Sequence, residues 1–145
     1  MENNKNNNQP IKNIARWIAI LPATLGGIFV GTIAVNIFSF FQRWFIGASS
    51  EGGWAQITFF IVAPAVGAAL AVYWGTIVAP KARRIVSMTI GALVIVLNTV
   101  DVIMAFSFQN PNALWIVASG ITSVIAAGYV VYQFLTEGDD YKMFD

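Results

Sequence analysis

The chain contains no cysteine and no histidine, and only 10% of its 145 residues are charged. Each shortage removes a class of chemistry. Histidine-ligated haem, thiolate clusters, most zinc sites, Ser-His-Asp triads and cysteine nucleophiles all need one of the two missing residues. No disulfide can report a redox compartment. The net charge is +1 and the cations form no block that would grip a phosphate backbone, so no nucleic-acid partner is expected. No metal and no cofactor are expected either. Soluble domains carry about 25% charged residues, and a chain of this size with so few cannot keep its apolar surface from water unaided.

What is present is apolar: 57% of the residues are hydrophobic and the mean hydropathy is +0.68. Four apolar stretches, residues 14–41, 54–78, 85–106 and 113–135, are separated by polar or charged breaks. Each exceeds the roughly 20 helical residues that cross a bilayer core. The expected fold is all-α, an integral membrane antiparallel four-helix bundle with short loops. Residues 1–10 (MENNKNNNQP) read as a disordered polar tail and residues 136–145 as an acidic one. The first stretch is too long for a signal peptide and lacks a clean small-residue cleavage site. At roughly 1.5 Å per residue it would run about 42 Å, so it is expected to kink at Pro22 and to begin as an interfacial turn anchored by Lys12, Arg16 and Trp17.

Orientation follows from Lys and Arg. Lys5, Lys12, Arg16, Lys81, Arg83, Arg84 and Lys142 lie on one side of a four-span arrangement, and Arg43 alone lies on the other. Both termini should therefore be cytoplasmic, and the short loops suit a bacterial cytoplasmic membrane. Trp44, Trp54 and Trp115 fall at the expected outer boundary, and Trp17 and Trp74 at the inner one, as an aromatic belt. Lys81, Arg83 and Arg84 are expected to set topology and to touch anionic headgroups, at about 1 kcal/mol per charge.

Helices in lipid associate where small side chains allow close approach. The second stretch has Ala63, Gly67, Ala71 and Gly75 at every fourth position, and the first has Gly27 and Gly31 at the same spacing after Ala23. Pro64 should free a backbone carbonyl near Phe60 and bend its helix.

An ionisable residue inside a span is costly and needs a partner or water. Asp101 is the clear case, about 7–8 Å below the outer end of its helix at 1.5 Å per residue. Asn98 is one turn away, while Asn36 and Arg43 form a similar stripe on the first helix. Three readings follow. Arg43 and Asp101 form an ion pair, with Asn and Ser side chains bonding between helices; or the four residues line an outward-facing pocket for an ion, proton or small solute; or Asp101 belongs to a partner-binding surface, on which it pairs with a basic residue of another protein. One buried Asp without a second acid, His or Cys is a poor catalytic set, so no enzyme is expected. The leading expectation is an accessory or scaffolding subunit of a larger membrane complex, with the bilayer and either other membrane subunits or further copies of itself as partners. The alternative is a small transporter or channel component using the polar pocket around Asp101.

Overall fold

In hydrocarbon every backbone polar group must be satisfied within the chain, which leaves helices as the solution for apolar runs of this length. The computed structural model describes residues 9–46, 53–79 and 82–136. Four helices result: α1 (Gln9–Ile46), α2 (Gly53–Val78), α3 (Arg83–Ser107) and α4 (Ala113–Thr136). All four are long and apolar enough to cross a membrane, and the chain is a small polytopic membrane protein. The acidic tail beyond Thr136, Lys81 and all of the expected N-terminal tail except Gln9 and Pro10 lie outside the described residues.

α1 is one helix of 38 residues that continues through Pro22. The separate interfacial turn expected at its start does not form. Proline removes one N–H, and the carbonyl it orphans belongs to Ile18. Pro22 and Ile18 both lie on an exposed face, where the helix can carry the defect without breaking.

α2 departs from α geometry where its proline requires it. Thr58–Val62 is a π-helical turn, and the Ala63 N–H donates to the Thr58 carbonyl five residues back. Pro64 follows at once. The widened turn lets the Phe60 carbonyl clear the proline ring, so the expected distortion takes the form of one wide turn.

The α3–α4 connection is set by backbone bonding. The Asn110 N–H donates to the Ala105 carbonyl (2.9 Å) and the Gln109 N–H to that of Phe106 (3.2 Å). Gln109 occupies the left-handed region at φ 48°. This is a Schellman ending, with glutamine at the position that glycine usually fills.

Successive helices run antiparallel. α1 begins and α4 ends at what we call the near end; the connections from α1 to α2 and from α3 to α4 lie at the far end. α2, α3 and α4 all touch one another, whereas α1 leans almost entirely on α2. The buried core of Val72, Ala79, Val86, Ile90, Val130 and Phe134 sits in the near half. In the far half burial is sparser.

Small residues make the α1–α2 contact. A methyl at Gly27 would lie 2.6 Å from the Leu70 carbonyl oxygen, and one at Gly31 would lie 3.0 Å from the Gly67 Cα. Ala71 is buried and Ala63 half-buried. At Gly75, Thr24 of α1 and Ile90 of α3 both reach the space a side chain would take. Three helices therefore close over Gly75.

Polar side chains contribute little between helices. Thr24, Thr32, Ser39, Thr89 and Thr99 each donate to the carbonyl four residues earlier in their own helix. The Thr122 hydroxyl lies 3.4 Å from the Ile61 carbonyl on α2, but its contacts within α4 are shorter, at 3.0 and 3.1 Å. With one proton to give, it serves its own helix first. Thr76 differs: its hydroxyl is buried and has no partner. Thr32→Val and Thr99→Val should each change stability by less than about 0.6 kcal/mol. Thr76→Val, which removes an unsatisfied buried oxygen, should stabilise by about 1 kcal/mol. Unfolding of the three variants in mixed detergent micelles measures both effects.

Candidate functional site

Because α1 leans on α2, its far half is held away from α3. The gap is a cleft of about 660 Å³. Ile28 and Thr32 of α1 form one wall, and Val94, Leu97, Asn98 and Asp101 of α3 form the other. Gly67, Ala68 and Ala71 of α2 form the floor, and Phe108 and Asn110 stand at the far-end mouth. Toward the near end its lining stops at Ile28, Ala71 and Val94, and one turn further Thr24 and Ile90 both reach into the space over Gly75. It is a wedge, open at the far end and closed toward the near end, about one turn inside the end of α2.

The polar wall comes from helical spacing. Val94, Asn98, Asp101 and Ala105 recur at intervals of four, three and four, which aligns them on one face of α3. The Asn98 amide donates to the Val94 carbonyl at 2.8 Å. Its other side rests on Gly120, whose missing side chain leaves room for it, with Asn98 atoms 3.6 Å from the vacant Cβ position. Ser119 of α4 adds a hydroxyl to the lining. Asp101 is exposed, and the described lining residues include no Lys or Arg.

Asn36 and Arg43 stand elsewhere. They line a second, smaller recess of about 60 Å³ between α1 and the start of α2, together with Ser39, Trp54 and Thr58. Thr32, Phe59 and Ala63 border both recesses and divide them. The Arg43–Asp101 ion pair expected from the sequence therefore does not form. The reason is topological: the stripes on α1 and α3 share a depth, but the two helices are not neighbours. Nor do the Asn groups bond between helices; the Asn36 amide donates to Thr32 of its own helix at 2.9 Å. Arg43 sits in the last turn of α1, where the carbonyl end of the helix favours a cation.

Arg84 is exposed and Arg83 half-buried at the start of α3, at the near end. Phe59, Leu97, Met104 and Gly120 did not stand out in the sequence, and Phe60 did so only as the carbonyl that Pro64 frees. For Leu97 and Met104 a signal existed, since both stand three or four residues from Asp101 on the same helix. Phe59 and Phe60 come to the cleft through the π-turn, which no spacing announces. Phe60 also stacks on Trp115, with centroids 5.9 Å apart.

No protein-family model, no curated protein and no solved structure matches this chain. Among the described residues the cleft presents one carboxylate, a few neutral acceptors and apolar walls, a lining that suits binding.

Proposed function

We propose that the protein is a small transporter or channel component that receives a solute in the cleft beside Asp101. The observation that carries this reading is the one-sided wedge: open at the far end, closed over Gly75, with the lone carboxylate on its wall. The bias of Lys and Arg supplies the orientation. Under it both termini are cytoplasmic, the cleft faces outward from a bacterial cytoplasmic membrane, and Lys81, Arg83 and Arg84 meet anionic headgroups on the inner side. Binding and movement of the solute need no catalysis. In proteoliposomes, Asp101→Asn should abolish solute-dependent flux while leaving the folded fraction unchanged. Absence of flux from the unmodified protein across a panel of ions and small organic solutes would sink the reading.

An accessory or scaffolding role has its own supporting observation. α1 is packed on one side only, and no more than 22% of the apolar window of any span is buried. Those faces suit lipid, other membrane subunits or a second copy. Stoichiometric co-purification with larger partners in mild detergent would favour this role, and recovery as a lone monomer would count against it.

A further inference from the structure

The cleft also carries information on what it holds. We infer that it binds an amphipathic organic monocation, with the positive charge beside Asp101 and the apolar body directed toward Ile28, Val94 and Leu97. This rests on the reading of the cleft as a solute site.

Charge excludes most alternatives. Asp101 is the one acid among the described lining residues, and no Lys or Arg accompanies it. An anion would meet repulsion with nothing to offset it. A carboxylate at membrane depth favours a counter-charge, and Arg43, the cation expected from the sequence to pair with it, lies in the other recess.

Coordination excludes small inorganic cations. Stripping a metal ion of its water requires a shell of oxygen ligands, about six for the common divalent ions. Beside Asp101 the described lining offers few further acceptors, because the Asn98 side-chain oxygen lies against Gly120 and the remaining walls are mostly hydrocarbon. An organic ammonium holds its hydration weakly and needs no such shell.

Size and shape fit. A volume of about 660 Å³ lies within the range of drug-sized ligand pockets, roughly 300–1,000 Å³. Its lining runs about 21 Å along α3, from Val94 to Phe108 at about 1.5 Å per residue, long enough to take such a molecule lengthwise. Phe59, Phe60 and Phe108 line the cleft, and aromatic faces attract organic cations. Because α1 and α3 barely touch, the cleft also opens sideways between them, a route for a molecule that partitions into the outer leaflet.

The test uses the full chain in phosphatidylcholine nanodiscs with radiolabelled benzyltributylammonium, corrected for binding to empty discs. Saturable binding is expected, and Asp101→Asn should weaken it by about tenfold or more, the loss of a charge partner. Leu97→Trp, which narrows the cleft and keeps the acid, should weaken it as well. The neutral N,N-dibutylbenzamide should not displace the cation, nor should excess sodium or potassium chloride beyond the effect of ionic strength. The inference is overturned if no saturable binding occurs, if Asp101→Asn binds as well as the unmodified chain, or if the neutral amide or an inorganic cation competes equally. Failure here together with Asp101-dependent flux of another solute would remove the ligand class alone and leave the solute site in place.

Discussion

Gly27→Leu should detach α1 from α2. At this position an added methyl meets backbone: the Leu70 carbonyl oxygen at 2.6 Å, its carbon at 2.7 Å and the Ala71 nitrogen at 2.8 Å. Backbone in the middle of a packed helix cannot swing aside as a side chain can, so the helices must separate. Separation loses the close approach at Gly31 and Gly67 as well, and α1 has almost no contact with α3 or α4 to hold it in place. Overpacking of a tight contact commonly costs about 1–3 kcal/mol, and with a leucine we expect the upper end of that range. Gly26→Ala supplies the control one residue away. Its methyl would meet the Trp74 ring at 3.8 Å, an ordinary contact, and should cost less than about 0.5 kcal/mol beyond any gain in helix propensity. Titration with sodium dodecyl sulfate in mixed micelles ranks the two. Equal stability of Gly27→Leu and Gly26→Ala would show that the glycine seam does not hold α1.

The four spans were legible because lipid imposes a simple rule: length and apolarity decide. The span read as 85–106 runs Arg83–Ser107, and that read as 113–135 runs Ala113–Thr136. Helix adjacency was not legible in the same way. Small residues at every fourth position on two helices say that each can approach something closely; they do not say what. Asn36, Arg43, Asn98 and Asp101 were read as one constellation because their depths agree, and depth is a one-dimensional quantity. The lateral position of α1 separates them into two recesses. The same limit applies to hydrogen bonds. A Ser, Thr or Asn inside a span can bond across to a neighbour or back to its own preceding turn; the sequence favoured the first and most of these side chains take the second. The π-turn before Pro64 shows a further gap, since proline announces a defect in the helix and leaves its form open.

Gly75 is where the account is most exposed to test. Thr24 and Ile90 meet over it, and that meeting is what closes the wedge at one end. Gly75→Leu should force the two apart and turn a one-sided cleft into one reached from both sides. Since the Thr24 and Ile90 groups in the way are side chains, the fold has room to survive the change.

The chain has no cysteine, so a single one can be placed at Val94, a half-buried residue of the cleft wall on the far side of the closure. A charged, membrane-impermeant methanethiosulfonate is then added to sealed vesicles of defined orientation, from one side at a time. A cysteine at Ala127, which is 1% exposed in the core, reports any general loosening. Cys in place of Val94 should react from the far-end side and stay unreacted from the side of the termini; Gly75→Leu should raise the second rate at least tenfold while a cysteine replacing Ala127 stays protected. Protection from both sides in the unmodified background, or equal reaction from both, would contradict a cleft that is open at one end and closed at the other.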